Sequence, residues 1–491
     1  MANKSTLIIL LLQNYRTMKH IKITTWSVLV MAMVINAFGA TAAGKLTVRL
    51  SEAGTLAEKL EGKLEGITSL ELTGPVNASD FYAMWSASYY GDVESIDLMN
   101  AVVDGDSIPS NAFFNGDEQG WWIPGSVPMK LRSVILPETI QRIGKLAFAY
   151  AEKLEYINIP RELKYLGSTA FAYCRSLKLS PLRVPAGLTV IPNFCFFDCG
   201  GVSNVIIPES VVEIGNSAFM GTGLTSIKIP PTVEKVGQMA FADCPMTEAH
   251  IDNSHMDAWR ESVFTTNYEL EVMTITGNST AIPSFFVDDS WNLRSVSLPE
   301  TIEEIREYAF SGCTSLTEIN YPAALKRIEK FAFKNVKVRN VSLPASLEYL
   351  GSGCFSSLRD PATLSCEAVV PPVCEDETVF NGAPVDLPVY VPVGTAQAYR
   401  SAVGWSYFSN FIETDDFSQA SVDNVAAERE IAIYGGAGCV VIRGGEFNYG
   451  IWTLDGRLVA SGDASNEVAV DMPLGVYIVN ADGVCRKVAV R

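Results

Sequence analysis

Two histidines stand among carboxylates in the stretch EAHIDNSHMDAWRES (residues 248–262). His250 and His255, with Glu248, Asp252 and Asp257 nearby, are the residue types of a metal site or of a general base. Their spacing matches no H-E-x-x-H motif or other known ligand pattern. The sequence therefore favours polar surface residues of a degenerate repeat, and it predicts no metal ligand and no cofactor here.

Paired carboxylates are the next candidates, at Asp288-Asp289 and Asp415-Asp416. A glycosidase needs two carboxylates that face one cleft, whereas neighbours on extended backbone point to opposite sides. Asp104-Gly105-Asp106 begins like a calcium loop but lacks the remaining oxygen ligands, so it predicts a turn. No P-loop, dinucleotide fingerprint or G-x-S-x-G motif is present. We predict a protein that is not an enzyme.

Cysteine is the third candidate for chemistry, with 10 residues in the chain. Six of them fall at two positions of an internal repeat: Cys174, Cys199, Cys244 and Cys313 at one, Cys195 and Cys354 at the other. This placement predicts small buried core residues rather than a zinc site at Cys195-x-x-x-Cys199. Disulfides remain open in an exported protein for Cys366 with Cys374 and for Cys439 with Cys485.

The amino terminus has the features of a secretory signal. A basic start at residues 18–22 precedes an apolar run from Trp26 to Phe38 and a small-residue cleavage site, Ala40-Thr41-Ala42. Met18 is an alternative start. A membrane anchor is the competing interpretation, because the uncharged run from 23 to 43 is just long enough to span a bilayer. We predict cleavage, no transmembrane span afterwards, and a location outside the cell or on its outer surface.

The charge of the chain excludes several partners. Residues 1–42 contribute four of the 37 basic residues and none of the 55 acidic ones, so the rest carries a formal charge of −22 (33 − 55). Nucleic acid and anionic lipid both require a cationic face, so neither is an expected partner.

A repeated phrase accounts for most of the chain, as "ILPETIQRIGKLAFAYAEKL" and "SLPETIEEIREYAFSGCTSL" illustrate. The unit L-x-x-V-x-L-P recurs every 22–25 residues. It begins at Leu131, Leu154, Leu179, Val202, Leu224, Met246, Leu270, Leu293, Leu316 and Val338. Seventeen places after these starts, phenylalanine recurs as Phe148, Phe171, Phe196, Phe219, Phe241, Phe310, Phe333 and Phe355. The units at Met246 and Leu270 lack both this Phe and the Pro.

Each unit predicts a short strand with one buried face, since apolar residues alternate at its fourth and sixth positions. Proline then ends the strand because it cannot donate to a ladder. One unit is too small to bury its apolar side alone, so the units must stack, with each strand paired to the next and each Phe resting on its neighbour.

The phrase resembles the BspA-like leucine-rich repeat proteins of bacterial surfaces, over about residues 44–414. The stretches at 67–72 and 93–98 resemble the amino-terminal cap of that family, and residues 366–405 resemble its carboxyl-terminal cap. The resemblance implies a mainly β fold with short helices: a right-handed leucine-rich-repeat solenoid of ten regular 22–25-residue units plus caps. It also implies adhesion to host or bacterial proteins.

Beyond the repeats, short β-rich runs separated by Asp455-Gly456 and Asp482-Gly483 predict hairpins in a small C-terminal β-sandwich. The phrases LDGRLVASG and LGVYIVNADGVCRKVAVR resemble the sorting domains of type IX secretion cargo in Bacteroidota; an accessory spacer or anchor is the alternative. The predicted organisation is then: 1–42 signal peptide, 43–130 amino-terminal cap and irregular repeats, 131–360 regular repeats, 361–412 carboxyl-terminal cap, 413–430 linker, and 431–491 sandwich.

An outward face is the predicted binding surface, because the third and fifth positions of each strand point away from the core and are mostly small, polar and uncharged. Such a shallow face suits an extended protein or glycan. Paired Trp121-Trp122, in a polar insertion, could bind a partner or cover the sheet edge. The candidate ligand-binding residues are Trp121, Trp122, Tyr156, Asn158, Asn204, Lys228, Asn320 and Asn340. The alternatives are a solvated face on a structural envelope spacer, or a polysaccharide-acting accessory protein or enzyme. A monomer is expected.

Overall fold

The computed structural model of the protein describes residues 44–114, 129–417, 432–435, 438–453, 458–481 and 484–490. The chain divides into two compact units between residues 420 and 421. The predicted signal peptide lies outside the described residues, as does most of the predicted linker. Within the described ranges, no helix is both long and apolar enough to cross a membrane.

The first unit is a solenoid in which each coil contributes a strand to a first row of parallel ladders. Partners in this row come from neighbouring coils, as in Ser133↔Tyr156 and Ser226↔Glu248. The strands of the first row are Lys45–Arg49, Ser69–Val76, Ser95–Val103, Ser133–Ile135, Tyr156–Ile157, Leu182–Arg183, Val205–Ile206, Ser226–Ile229, Glu248–Asp252, Val272–Thr276, Ser295–Ser297, Glu318–Ile319, Asn340–Leu343, Thr363–Cys366, Val389–Val391 and Phe411–Glu413.

A second row of two-residue strands follows in most coils, again with parallel pairing between neighbours. Its strands are Ser107–Ile108, Arg142–Ile143, Tyr165–Leu166, Val190–Ile191, Glu213–Ile214, Lys235–Val236, Ala281–Ile282, Glu304–Ile305, Arg327–Ile328, Tyr349–Leu350 and Val373–Cys374. In the coil that starts at Met246, the short 3₁₀ turn Met256–Ala258 occupies this place.

Strand length in the first row depends on proline. Where Pro occupies the seventh position, as at Pro160 or Pro208, the strand has only two to four residues. The units at Met246 and Leu270 carry Asp252 and Thr276 there instead, and their strands run for five residues in unbroken register. The two units without the Pro therefore form the longest ladder of the regular repeats.

A file of phenylalanine rings forms the centre of the solenoid, as predicted. From Phe113 to Phe264 successive ring centroids lie 5.3 to 5.5 Å apart with interplanar angles of 15° or less. In the unit at Met246 the residue seventeen places after the start is Val263, and the next residue, Phe264, occupies the place in the file. This unit therefore does contribute a phenylalanine to the file. In the next coil Val287 stands seventeen places after the unit start, and its neighbour Phe286 meets Phe264 edge-on at 5.4 Å. Parallel stacking resumes between Phe310 and Phe333 at 5.3 Å.

Each coil turns at this file through a pair of residues with left-handed backbone. Leu146 and Tyr150 flank Phe148 with φ of 59° and 60°. The backbone N–H groups of these three residues donate to the next coil, at 3.2, 2.8 and 2.8 Å. Similar pairs recur along the solenoid: Thr169 and Tyr173, Phe194 and Asp198, Ser217 and Gly221, Met239 and Asp243, Ser262 and Thr266, Tyr308 and Gly312. The bonds between coils hold a conformation that costs a non-glycine residue about 1–2 kcal/mol.

Two helices, α1 (Leu56–Leu60) and α2 (Ala78–Tyr89), lie before the regular repeats, in the region predicted as the amino-terminal cap. A third, α3 (Ala396–Ser401), and the 3₁₀ turn Trp405–Tyr407 close the other end. There the hydroxyl of buried Tyr399 donates to the carbonyl of Ala368 at 2.6 Å. The indole of Trp405 donates to Pro372 at 3.0 Å, so the large rings that cover the last coil keep their polar atoms bonded.

The second unit contains five antiparallel strands: Ala432–Gly435, Cys439–Thr453, Leu458–Asp471, Gly475–Ala481 and Val484–Val490. The two longest strands pair along most of their length, with a bulge between Gly444 and Glu446. A single core includes Ile433 and Ile442 from the first two of these strands and Val479 and Val488 from the last two. This agrees with a small sandwich, although both predicted hairpin turns lie outside the described residues.

Candidate binding surface

The outward positions of the first strand row are half-buried or exposed in every regular coil, while the fourth and sixth positions face the core. Apolar and cationic side chains interrupt this mostly polar surface. Tyr156 is 50% exposed and Ile206 is 43% exposed, and Lys228 extends from the coil after that of Ile206. These three side chains thus place two exposed apolar groups and one cation on the surface. We call the outward third and fifth positions of this row the strand face.

Two of the predicted ligand-binding residues form hydrogen bonds to the main chain of the neighbouring coil. The side-chain amide of Asn158 accepts from Leu136 N at 2.7 Å and donates to Leu136 O at 2.9 Å. Asn320 makes the same pair of bonds to Leu298, at 2.7 and 2.8 Å. Because a carboxamide carries the donor and acceptor of a peptide group, each Asn extends the ladder by one rung beyond a two-residue strand.

Replacing Asn320 by Ala should remove this rung. We expect a loss of about 1–2 kcal/mol, because two part-buried hydrogen bonds to the neighbouring coil disappear. Amide exchange of Leu298 should accelerate, since its N–H donates to the Asn320 side chain. The matched control is Ser297→Ala, an exposed outward position on the adjacent coil. Unchanged exchange at Leu298 in Asn320→Ala would contradict the assigned role.

The other predicted residues differ in their surroundings. Asn204 is half-buried in the strand face, and Asn340 accepts a bond from Thr363 at 2.9 Å. Trp121 and Trp122 lie outside the described residues, so their role stays a prediction.

An aromatic cluster on α2, which the sequence analysis did not single out, is a second candidate surface. Tyr82, Trp85 and Tyr89 stack with centroids 5.4 and 5.0 Å apart, and Tyr90 meets Trp85 edge-on at 5.9 Å. Tyr82 and Tyr90 are exposed, and partial burial raises the pKa of both hydroxyls. The Trp85 Nε1 is buried and has no hydrogen-bond partner among the residues that the structure describes. The i, i+3, i+7 spacing of the first three rings on one helix was the signal for this cluster.

Three of the residues that suggested catalysis share one face of a strand, because side chains at alternate positions point to the same side. Glu248, His250 and Asp252 lie at alternate, half-buried positions of one strand, and His255 precedes a 3₁₀ turn. Asp104–Asp106 forms a short 3₁₀ turn, in agreement with the prediction of a turn. In the part of the chain that the structure describes, no three His, Cys, Asp or Glu side chains assemble into a metal site.

The cysteines at the first repeat position form a buried ladder, as predicted. Each thiol donates to a main-chain carbonyl of the previous coil, as Cys174 does to Phe148 at 3.2 Å and Cys199 does to Phe171 at 3.0 Å. Burial raises the pKa of Cys244 to about 11, which keeps this thiol protonated and unreactive near neutral pH. Cys366 and Cys374 are both buried free thiols, and the side chain of Cys485 lies outside the described residues.

Stacked parallel coils with an aromatic file define the first unit as a leucine-rich-repeat solenoid. Residues 128–247, 189–289 and 280–368 match the family model described as BspA type leucine rich repeat region, in 6 copies. Residues 128–368 of this chain are therefore similar to BspA-type leucine-rich repeats.

Solved structures similar to this chain include leucine-rich repeat proteins of several bacteria. One, from Bacteroides ovatus, is 22% identical over 72% of this chain and 86% of that chain, with a TM-score of 0.49. A leucine rich cell surface protein from Faecalibacterium prausnitzii is 19% identical over 72% and 84% of the two chains, with a TM-score of 0.33. The pneumococcal vaccine antigen PcpA is 16% identical over 71% and 80%, also with a TM-score of 0.33. No curated protein matches the chain.

Proposed function

We propose that this chain is a non-catalytic binding protein of the bacterial surface or extracellular space, which holds an extended protein partner along the strand face. The observation that carries the proposal is the succession of outward side chains on neighbouring coils, whose described first-row strands form four parallel ladders. Because coils repeat at about 4.8 Å, a partner in extended conformation meets a new pair of side chains on each coil.

The composition of the strand face favours a protein partner. Exposed Tyr156 and Ile206 supply apolar anchors, which dominate the energetics of protein interfaces when they become buried. Small polar side chains such as Ser297 and Ser342 surround these anchors along the row. The surface is shallow, and small-molecule sites are usually concave.

Export and attachment belong to the same proposal. The amino-terminal segment has the composition of a cleaved secretory signal, and the second unit is an independent antiparallel β-domain. We infer that this domain directs secretion or anchors the protein at the outer surface. Its resemblance to type IX sorting domains supports this inference.

A panel of purified extracellular-matrix proteins and of bacterial surface proteins, immobilised separately, would test the binding role. We expect at least one member to retain the protein with a Kd in the micromolar range or tighter. The variant Tyr156→Ala/Ile206→Ser/Lys228→Ala should weaken that binding by at least about tenfold, because it removes two apolar anchors and a cation from the strand face.

The second strand row offers a matched control, Tyr165→Ala/Val190→Ser/Lys235→Ala. Tyr165 is 42% exposed, Val190 is 38% exposed and Lys235 is exposed, so the residue types and exposures resemble those of the first variant. Equal losses in both variants would contradict a role for the strand face. Retention by nothing on the panel would favour the structural spacer, and turnover of a polysaccharide would favour an enzyme. A Trp121→Ala/Trp122→Ala variant tests the predicted contribution of the insertion.

Glycan binding is the second candidate, and the aromatic cluster of α2 favours it. The exposed rings of Tyr82 and Tyr90 around Trp85 offer stacking surfaces to a sugar. Polysaccharides included in the same panel would reveal this activity, which should survive the strand-face variant.

A further inference from the structure

A cationic depression lies at the edge of the first strand row, near its carboxyl-terminal coils. It has a volume of about 530 Å³, and Arg294, Lys337 and Arg359 contribute charged groups to its lining. Asp360 is the one carboxylate that lines it. Arg294 immediately precedes the strand Ser295–Ser297, so the depression opens beside the amino-terminal ends of the strands.

Hydroxyl groups complete the lining, from Thr314, Ser315 and Thr317. These residues connect two successive coils, since Thr317 N and Thr317 Oγ1 both donate to the carbonyl of Arg294, at 3.0 and 3.4 Å. Cations and hydroxyls from consecutive coils therefore surround one space, which is the donor set that binds oxyanions in proteins.

Among the described residues, none of the three cations has a carboxylate partner within 4.0 Å. Within the described part of the chain, neither Arg294 nor Lys337 has an ion pair within 4.0 Å. Arg359 donates from Nε to Asn335 Oδ1 at 2.8 Å, and its other guanidinium nitrogens remain available. All three side chains are exposed, so each can turn toward a ligand without leaving a buried position.

The opposite end of the same edge is arranged differently. There Arg132 contacts Glu94 at 3.4 Å and also pairs with Glu155, which in turn binds Lys178 at 2.8 Å. Arg175 pairs with Asp198 at 2.8 Å. The amino-terminal coils thus match their cations with carboxylates of neighbouring coils. The carboxyl-terminal coils gather like charges that repel one another and that an anion would neutralise.

We propose that this depression binds the sulfate or carboxylate groups of an acidic oligosaccharide. Arginine presents a planar fork that suits both oxyanions, and the volume falls within the range of ligand sites, about 300–1,000 Å³. A short oligosaccharide segment fits better than a long polyanion, because the remainder of the chain is strongly acidic and repels extended negative charge. The inference does not depend on the strand face, since none of its residues belongs to that surface.

Binding can be measured with the full chain and a fluorescent heparin-derived hexasaccharide. The expected result is saturable binding that weakens several-fold when NaCl rises from about 0.05 M to about 0.5 M, since exposed charges are screened by salt. The desulfated hexasaccharide separates the two anionic groups: comparable binding assigns the carboxylates, and a large loss assigns the sulfates. A neutral glucose hexasaccharide should not bind.

The variant Arg294→Ala/Lys337→Ala should weaken hexasaccharide binding by at least about tenfold, because two of the three cations are removed. The charge-matched control Lys235→Ala/Arg260→Ala removes one exposed cation from the second strand row and one from the residue that bonds to its Val236 carbonyl, and it should change affinity less than about twofold. Both variants should keep the thermal midpoint of the parent protein, since all four side chains are exposed. Equal weakening in both variants, no binding of either charged oligosaccharide, or equal binding of the neutral one would overturn the proposal. Tighter binding of a short DNA duplex with the same variant dependence would overturn the assignment to a saccharide.

Discussion

Replacing Phe219 by Ala is expected to lower the free energy of unfolding by about 3–5 kcal/mol, one of the largest single-residue effects in this chain. Phe219 is fully buried between Phe196 and Phe241, with centroid distances of 5.5 and 5.4 Å and interplanar angles of 9° and 5°. Its removal leaves a cavity that neither neighbour can fill, because each is held by a stack on its other side.

The loss of stability should reach only the coils next to that of Phe219. In a stacked repeat each coil contacts the coils before and after it, so stability is a sum of coil and interface terms. Hydrogen exchange followed by mass spectrometry should therefore show lost protection in the coils of Phe196, Phe219 and Phe241, with the distant coils of Phe333 and Phe355 almost unchanged. Uniform loss along the whole unit would show that the solenoid unfolds as one cooperative block.

Phe194→Ala is the matched control for this experiment. Phe194 is 42% exposed and lies in the same turn region, so its truncation removes a phenyl ring without opening the central file. Both Phe and Ala pay the same steric cost of the left-handed backbone there. We expect a change below about 1 kcal/mol, and a loss as large as that of Phe219→Ala would sink the argument that the file carries the stability.

The second large effect is expected at Asp80, whose substitution by Ala should cost about 3–5 kcal/mol. Its carboxylate is fully buried and accepts three backbone N–H groups: from Gly54 at 2.7 Å, Leu56 at 2.9 Å and Asn77 at 2.9 Å. Asp80 lies in the first turn of α2, where the helix dipole favours a negative charge. Alanine would leave the three donors without an acceptor.

Two variants bracket this prediction. Asp80→Asn keeps one acceptor oxygen but turns the other into a donor that opposes an N–H group, so it should destabilise by an intermediate amount. Asp92→Ala removes an exposed carboxylate that pairs with Lys130 at 2.6 Å and should cost less than about 1 kcal/mol. Chemical denaturation with exchange measured at residues 44–103 would resolve the order. An Asp80→Ala protein as stable as Asp92→Ala would refute the stabilising role of the buried Asp80 carboxylate.

The repeated elements of the solenoid were predictable because each depends on local chemistry that the repeat displays ten times. The alternation of the strand and the Phe seventeen places later together place Phe148, Phe171 and Phe219 in one file, and the structure confirms it. The same rule explains the exception, because Asp252 and Thr276 in place of Pro let two strands continue.

Other features depend on how the coils meet in space. Asn158 and Asn320 look like exposed polar positions in the sequence, and only the neighbouring strand shows that their amides complete a ladder. The cations Lys337 and Arg359 occupy the same position of two successive units, but Arg294 occupies a different one. Stacking alone brings them around one depression.

The left-handed turns escaped prediction for a further reason. Glycine or asparagine usually marks such backbone, yet residues such as Leu146, Thr169 and Met239 adopt it here. Main-chain hydrogen bonds from coil to coil impose the conformation, so residue type carries little information about it.

That arrangement leaves this edge of the molecule free to diversify. Main-chain hydrogen bonds between coils fix the geometry of each left-handed turn. A charged, aromatic or aliphatic side chain at these turn positions can therefore be exchanged for another without a change in the neighbouring coils. Variation accumulated there would alter what the protein presents to its surroundings, coil by coil, while the frame beneath stays the same.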